Sequence, residues 1–353
     1  MEYTSALDAA AAAEDEIDRL AWVAGFCLGP FGGNERTWKP FNPLLGETFE
    51  LDLPCGGRFL AEQVSHHPPI AAAHASSTAW AYDIVSAPTT KFLGNAVDIY
   101  PVGRSRIHLK ATGETFSLVP PNSKAHNLIV GRTWVDCYGD FSLINTKTGA
   151  RCSLRFTPCG WFGAGRYEVA GHIADGAGVK RRAVAGAWNS HLDVTPCGPD
   201  GVASPGAAPT RVWACAAKPE GDKYGFTHFA RTLCAGAGLA PLPSDSRRRP
   251  DRASLAAGDT GAAGAAKHAL EEAQRVERRE RASRGDAWAP RWFRATPPDA
   301  AVRYPGECGA AECPLWEFGG TFPPAPPAPA GADCVGQEFS PWSYPELAIH
   351  AKK

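Results

Sequence analysis

Two adjacent histidines, His66 and His67, are the most chemically distinctive feature of the sequence and lie in the string EQVSHHPP at residues 62–69. Pro68 disfavours the helical conformation for His67, and the two prolines remove two backbone donors. Neighbouring residues of a regular strand point to opposite faces, so both rings can reach one ligand only if the prolines bend the strand. Imidazole can donate to an anion, and a nearby phosphate raises its pKa. The string indicates a phosphate site or, alternatively, two histidines packed at the end of a strand.

A second group of charged residues, Lys267, Glu271 and Arg275, is spaced i, i+4, i+8 in the string KHALEEAQR. On a helix this spacing places all three on one face, where Glu271 can bridge and orient both cations. A polyanion would complete the arrangement. The alternative is an ordinary solvent-facing set of ion pairs, each contributing about 0.3–0.5 kcal/mol.

A third candidate is Lys39, which opens the string KPFNPLLGETFE at residues 39–50. The prolines stiffen a bend that leads into an apolar strand. A cation at the rim of an apolar pocket would suit an amphiphile with a charged head. An ordinary loop lysine is the alternative.

The sequence predicts no metal, no cofactor and no catalytic set. Neighbouring histidines rarely chelate one ion, and neither an HExxH motif nor a third ligand at a characteristic spacing occurs. The sequence also lacks a GxSxG nucleophile motif and a phosphate-binding Walker loop. We therefore do not expect an enzyme.

The charge is balanced over the chain, with 36 Lys and Arg against 37 Asp and Glu among 353 residues. A net charge of -1 gives no support for nucleic-acid binding. Residues 247–294 are nevertheless basic, so a positive face on an acidic body could meet an anionic surface or ligand. A solvated charged helix would explain the same pattern.

The cysteines and the N-terminus indicate a reducing, cytoplasmic location. Eleven cysteines are scattered without a CxxC pair, which favours neither a disulfide framework nor a zinc ribbon. The acidic start is the reverse of a signal peptide. The uncharged apolar stretch at residues 20–34 contains Gly and Pro and is too short to cross a membrane, so we expect a soluble chain.

The elements that must position these residues can be read from periodicity and turn chemistry. Residues 5–28 read as one helix that ends at Gly29-Pro30. Short alternating runs between residues 47 and 235 predict a long meander of strands, with a hairpin around residues 146–149, and favour a barrel or large sandwich. Residues 265–284 read as a charged helix after a Gly/Ala loop at 256–266, and residues 198–210 and 318–333 read as loops.

Seven strings occur in order along the chain. They are KPFNPLLGETFE (39–50), EQVSHHPP (62–69), HNLIVGRTWVD (126–136), PCGWFGAGRYEVAG (158–171), SDSRRRPDR (244–252), KHALEEAQR (267–275) and PRWF (290–293). Together they strongly resemble the lipid-binding domain of the oxysterol-binding-protein-related family, and most closely its short plant and algal members. The resemblance covers residues 2–294, and EQVSHHPP is its most specific motif.

The resemblance implies a β-dominated α+β fold. We expect a large, nearly closed antiparallel β-barrel that encloses a lipid tunnel, with an N-terminal helix and a helical C-terminal layer. A single lipid-binding domain would span residues 1–353, with the N-terminal helix region at 1–38, the barrel at 39–235, a basic helical region at 236–296 and a Pro/Ala-rich loop at 318–333. Family members usually carry an upstream lid over the tunnel. This chain begins where the lid would end, so the lid is apparently missing, and we expect either that the start is truncated or that the ligands are held loosely.

The resemblance also implies the ligands. In such proteins phosphatidylinositol 4-phosphate is held at the tunnel mouth, and a sterol or phosphatidylserine occupies the same cavity in alternation. The implied head-group contacts fall on Lys39, His66, His67, Lys267, Glu271 and Arg275. The first three would contact the phosphate, and the two later cations would complete the anion site with Glu271 beside them.

The expected function is therefore lipid exchange between membranes by a cytoplasmic monomer, in peripheral contact with the endoplasmic reticulum or other membranes. The alternative is a sensor or scaffold that binds lipid without appreciable transport.

Overall fold

The computed structural model describes residues 1–38, 41–234, 242–296, 315–323 and 338–342. Its α-helices are α1 (Thr4–Ala12), α2 (Glu16–Leu28), α3 (His228–Cys234), α4 (Pro250–Ala256) and α5 (Thr260–Arg284). Its strands are β1 (Thr48–Asp52), β2 (Arg58–His66), β3 (Pro69–Ser76), β4 (Trp80–Ser86), β5 (Thr89–Phe92), β6 (Ala96–Tyr100), β7 (Gly103–Leu109), β8 (Glu114–Val119), β9 (Asn122–His126), β10 (Trp134–Asn145), β11 (Arg151–Phe156), β12 (Glu168–Ala174), β13 (Lys180–Ala187), β14 (His191–Pro196), β15 (Thr210–Ala214), β16 (Phe293–Thr296) and β17 (Leu315–Phe318).

The N-terminal helical region consists of two helices, so the prediction of one helix over residues 5–28 was wrong. Ala13 adopts an extended conformation after α1. Asp15 then caps α2, because its Oδ1 accepts the backbone N–H groups of Ile17 at 2.9 Å and Asp18 at 3.1 Å. An aspartate that can satisfy free N–H groups begins a new helix within a run of good helix formers.

Helix α5 starts earlier than the sequence predicts, and the Gly/Ala stretch is helical from residue 260. The side chain of Asp259 accepts the N–H of Ala262 at 2.8 Å and caps the new start. Ala263 is buried, and α5 packs against α4 along this segment. The helix ends at Arg284, where Gly285 takes the left-handed conformation with φ 71°. Among the described residues, no helix is long and apolar enough to cross a membrane.

Fifteen of the described strands form one antiparallel sheet, with the order β1-β2-β3-β4-β7-β8-β10-β11-β12-β13-β14-β15. Strands β5, β6 and β9 extend it beside the first half of β10. The predicted hairpin is present, since Ile144 pairs with Arg151 around a turn in which Gly149 has φ 84°. The described pairing runs from β1 to β15, and near closure into a barrel stays a prediction.

Successive turns of the meander alternate between the two ends of the sheet. The β2–β3 turn, residues 67–68, defines what we call the histidine end. The pairings Ala71 with Ser86 and Gly139 with Phe156 place the segment after β4 and the β11–β12 loop at this same end. The loop between β9 and β10 also lies there. Strand β10 pairs with β8 only over residues 142–145, and its earlier residues 134–138 extend beyond β8 toward the histidine end, where they pair with β9. Four connections therefore share the histidine end.

The segment 244–247 lies along the outer side of β1. The N–H of Thr48 donates to the carbonyl of Ser244 at 2.9 Å, and the N–H of Glu50 donates to Asp245 Oδ2 at 3.1 Å. Arg247 Nη2 donates to the carbonyl of Glu50 at 2.7 Å. Outward-facing N–H and C=O groups of β1 are thus both hydrogen-bonded to this segment. These bonds join the start of the sheet to the chain that leads into α4 and α5.

The main buried core packs α1 and α2 against the sheet. Leu20, Phe116 and Leu192 are fully buried within it. Helix α2 lies so close to β15 that a Cβ at Gly25 would stand 2.4 Å from the carbonyl oxygen of Val212. The hairpin of β16 and β17 packs on the other side of the molecule, against β3 and β4. Phe318 belongs to β17, and the later part of the predicted loop, residues 324–333, lies outside the described residues.

Candidate ligand-binding site

A cavity of about 290 Å³ opens at the histidine end. Its walls come from the segment 41–45, the β2–β3 turn and one face of α5. The lining residues are Phe41, Asn42, Leu44, Leu45, His66, His67, Arg249, Lys267, Glu271, Gln274, Arg275 and Arg278. Five of the six residues that the sequence singled out meet here. The sixth, Lys39, lies outside the described residues, three positions before Asn42.

The two histidines reach the same cavity because the chain turns between them. His66 is the last residue of β2 and pairs with Pro69, so His67 and Pro68 form a two-residue turn. The two ring centroids are 4.8 Å apart, with an angle of 82° between the planes. The expectation that the prolines bend the strand is confirmed.

His66 is prepared to be an uncharged hydrogen-bonding group. Burial first, and then the neighbouring His67 ring, lower the pKa of His66 below its ordinary value of 6.5. The backbone of Pro43 interacts with the ring and acts to raise this pKa, while Nδ1 is buried and makes no hydrogen bond of normal geometry within the part of the chain that the structure describes. A ligand could supply the missing partner, and an anionic ligand would raise the pKa of the ring again.

The face of α5 carries the bridged cations that its spacing predicts. Lys267 Nζ lies 2.5 Å from Glu271 Oε1, and Arg275 Nη2 lies 3.8 Å from Glu271 Oε2. The hydrogen bond from Lys267 holds the pKa of Glu271 below its ordinary value, so Glu271 is charged at neutral pH. Arg275 also contacts Glu272, with 3.0 Å between Nη1 and Oε2. These pairs hold both cations at the cavity while they remain open to solvent.

Arg249 is a structural cation of the cavity wall, and sequence reasoning missed it. Its side chain is only 2% exposed and lies 2.8 Å from Glu47 and 2.6 Å from Asp251. It also donates to the carbonyl of Asn42 at 2.8 Å. The two carboxylates compensate its charge, so Arg249 fixes the 41–45 segment and adds little net charge.

Two further wall residues, Gln274 and Arg278, were also missed. Gln274 Oε1 accepts the N–H of Leu45 at 2.8 Å and ties α5 to the 41–45 segment. Arg278 lies three residues after Arg275, so helical spacing could have placed it on the same face. With Arg249 compensated, Lys267, Arg275 and Arg278 face one lining carboxylate, Glu271. Glu272, outside the lining, also pairs with Arg275, so an excess of about one positive charge remains, which favours an anionic group such as a phosphate monoester.

Glu62, the first residue of the EQVSHHPP string, has a structural role away from the cavity. Its Oε1 accepts the N–H of Arg291 at 2.9 Å, and its Oε2 accepts the N–H of Trp292 at 3.0 Å. Burial raises the pKa of Glu62 to about 7. The residue therefore anchors the segment that leads into β16 to strand β2, four residues before His66.

We expect the stability of the protein to depend on pH through Glu62. Because its pKa rises from 4.5 to about 7 on folding, the folded state favours the protonated carboxyl group more than the unfolded state does. The resulting contribution to stability is fully present below about pH 4.5 and is lost as the pH rises through 7. The free energy of unfolding should fall over this window by about 3 kcal/mol more in the parent chain than in Glu62→Gln, whose side chain does not titrate. Urea unfolding midpoints between pH 4.5 and 8 would measure this. Parallel curves for the two proteins would contradict it.

Within the described ranges, no group of three or more His, Cys, Asp or Glu side chains is placed to hold a metal ion.

Comparisons with known proteins define the class of the fold. The structure superposes with a TM-score of 0.78 on the ORD domain of Osh1 in complex with cholesterol, at 32% identity, over 90% of this chain and 78% of that one. It superposes with a TM-score of 0.72 on the ORD of Osh3 from Saccharomyces cerevisiae in complex with PI(4)P, at 27% identity, over 90% and 79% of the two chains. The large antiparallel sheet with few helices is thus the ORD fold.

Sequence comparisons then give the family. The profile described as oxysterol-binding protein matches residues 1–320. The chain is 41% identical to oxysterol-binding protein-related protein 3B of Arabidopsis thaliana, over 99% of this chain and 76% of that protein. It is 42% identical to the related protein 3C, over 99% and 77%. The chain belongs to the oxysterol-binding protein family, as the seven strings predicted.

Proposed function

We propose that this protein exchanges phosphatidylinositol 4-phosphate for a sterol or phosphatidylserine between membranes. The observation that carries the proposal is the meeting of His66 and His67 with Lys267 and Arg275 in one cavity, although some 200 residues separate them. The relatives support it, since chains of the same fold are known in complex with cholesterol and with PI(4)P.

The cavity suits the head group of the lipid and not its chains. Its volume of about 290 Å³ is at the lower end of the range of about 300–1,000 Å³ for small-molecule sites. The roughly thirty methylenes of a two-chain lipid, at about 0.8 kcal/mol each, would cost on the order of 24 kcal/mol to expose. We infer that a tunnel inside a nearly closed barrel shelters the chains. In this proposal the tunnel shelters the lipid chains during transfer, and the head-group cavity determines which lipid is bound.

In this proposal each cavity residue has a defined role. His66 and His67 contact the 4-phosphate, and Lys39 reaches it from the segment before Phe41. Lys267 and Arg275 complete the anion site, and Glu271 orients both cations. Charge-assisted hydrogen bonds of about 1.5–3 kcal/mol each would then select the phosphorylated lipid.

We further propose that residues 1–353 act as one lipid-binding domain, as a cytoplasmic monomer in peripheral contact with the endoplasmic reticulum or other membranes. The second lipid would lie in the same tunnel, so the two ligands exclude each other. The protein would act as a carrier and not as an enzyme.

Transfer between vesicles tests the proposal. We expect the protein to move a sterol or phosphatidylserine from donor to acceptor vesicles, and to do so several-fold faster when the acceptor contains phosphatidylinositol 4-phosphate, because the returning ligand empties the tunnel. A fluorescent sterol or a labelled phosphatidylserine sensor would follow the rate. Tight binding of both lipids without faster transfer would indicate a sensor or scaffold, and release of inorganic phosphate would indicate an enzyme.

A further inference from the structure

The exposed apolar side chains of the described residues are concentrated at one end of the sheet. Twelve large apolar side chains are exposed, and nine of them lie at the histidine end. Single exposed apolar residues are common on protein surfaces, whereas a cluster marks an interaction site. We call this surface the docking face. It consists of the β5–β6 turn, the β9–β10 loop, the β11–β12 loop and the stacked pair Trp38 and Tyr224.

Two of these loops form a single apolar tip. The Oδ1 of Asn95, in the β5–β6 turn, accepts the N–H groups of Ile129 at 2.9 Å and Val130 at 3.0 Å in the β9–β10 loop. The side chains of Ile129 and Val130 are each 72% exposed, with Phe92 beside them at 64%. The amide of Asn95 thus holds the backbone of the tip in place while its apolar side chains face solvent.

The β11–β12 loop lies beside β10, the strand that follows the β9–β10 loop. The N–H of Cys159 donates to Asp136 Oδ2 on β10 at 2.8 Å, and the Arg166 guanidinium lies 4.8 Å from the ring centre of Trp134. At its tip Trp161 is 88% exposed and Phe162 is fully exposed. Phe162 has φ 58°, an unfavourable conformation for a bulky residue, and its ring is not packed against the residues that the structure describes.

The third part of the docking face, the pair Trp38 and Tyr224, links the β9–β10 loop to the segment that leads into the histidine cavity. The rings of Trp38 and Tyr224 are 5.7 Å apart, and they share a basic cavity of about 150 Å³ with Arg132 of the β9–β10 loop. Trp38 is three residues from Phe41, so its Cα lies within about 11 Å of the Cα of a residue that lines the histidine cavity. This part of the docking face is therefore close to the histidine cavity.

The charges of this face are mostly positive. The basic cavity is lined by Arg36, Arg132, Lys218 and Lys223, against the single carboxylate of Glu35. Basic residues between projecting aromatic and aliphatic side chains are typical of a surface that binds an anionic bilayer, where Trp and Tyr favour the interfacial region. A protein partner would more commonly meet a continuous, well-packed patch than separate loop tips.

We propose that the docking face inserts its loop tips into the interfacial layer of an anionic membrane and so directs the histidine cavity toward the lipids. This inference rests on the proposed function, because it assigns the face through which the lipid enters and leaves. Trp161 and Phe162 act as the apolar anchors, and Arg132 and Lys223 provide the preference for anionic lipid.

Sedimentation of the full chain with sucrose-loaded vesicles tests the proposal. The vesicles contain phosphatidylcholine alone or with 30% phosphatidylserine, and no phosphoinositide. We expect Trp161→Ser with Phe162→Ser to lower partitioning at least tenfold on both compositions. Arg132→Gln with Lys223→Gln should remove most of the preference for the anionic vesicles. Val202→Ser is the matched control, since Val202 is 66% exposed in the β14–β15 loop at the opposite end of the sheet.

A second measurement separates this inference from the proposed function. Binding of water-soluble dioctanoyl phosphatidylinositol 4-phosphate requires the cavity and no membrane, so the docking variants should bind it within about twofold of the parent chain. If the parent chain fails to bind this lipid, the proposed function is wrong. If the parent chain binds it but the Trp161 and Phe162 variant still partitions normally, or if the parent chain does not bind anionic vesicles, the docking face is wrong. Unchanged thermal unfolding midpoints would confirm that the variants are folded.

Discussion

Replacing both His66 and His67 by alanine should abolish extraction of phosphatidylinositol 4-phosphate from liposomes. The two imidazoles line the cavity together, and the buried Nδ1 of His66 makes no hydrogen bond of normal geometry among the described residues. Losing two charge-assisted hydrogen bonds of about 1.5–3 kcal/mol each corresponds to binding that is about 150- to 25,000-fold weaker. The measurement is the fraction of labelled phosphoinositide that the protein removes from vesicles.

The same double variant should retain the second ligand, because the sterol or phosphatidylserine chains depend on the tunnel and not on imidazole. Retained binding of that ligand also shows that the variant is folded. His172→Ala is a matched control, since this partly buried histidine lies on β12, outside the cavity. Unchanged phosphoinositide extraction by the double variant would refute the assignment of the head-group site.

Two arginines of one cavity should give opposite results when each is replaced by methionine. Arg249→Met removes a buried cation and leaves Glu47 and Asp251 uncompensated, so the free energy of unfolding should fall by about 3–5 kcal/mol. Arg275→Met removes a half-exposed cation from α5 and should change stability by about 1 kcal/mol or less. Urea unfolding midpoints would measure both effects.

Binding of a soluble phosphoinositide by the same two variants completes the comparison. Arg275→Met should weaken binding of dioctanoyl phosphatidylinositol 4-phosphate at least tenfold while its unfolding midpoint stays near that of the parent chain. Equal losses of stability in the two variants would show that Arg275 is part of the structural framework. A fully stable Arg249→Met protein would show that the buried ion pairs do not hold the cavity wall.

The fold could be predicted where local chemistry decides the structure. The turn at Gly149 follows from residues within the hairpin, and its pairing is as expected. The break at Ala13 was not visible, because every residue around it is compatible with a helix and only the capping by Asp15 separates α1 from α2. Helix α5 extends through Gly261 and Gly264 because a cap at Asp259 and the burial of Ala263 outweigh their low helix propensity.

The candidate site was predicted through motifs more than through spacing. The i, i+4, i+8 pattern placed Lys267, Glu271 and Arg275 on one face, yet nothing in the sequence alone brings that face to His66. Arg249 could not be found this way, since its partner Glu47 is 202 residues away. The ion pair depends on the path of the chain between β15 and α4, which local patterns do not encode.

The segment 244–247 also bears on self-association. A strand with free N–H and C=O groups can template the addition of another chain, and this is how many β-rich proteins aggregate. In this protein the outward groups of Thr48 and Glu50 are already bonded to the stretch of chain that continues to Arg249. One short segment therefore supports the wall of the cavity and also blocks edge-to-edge polymerisation at β1.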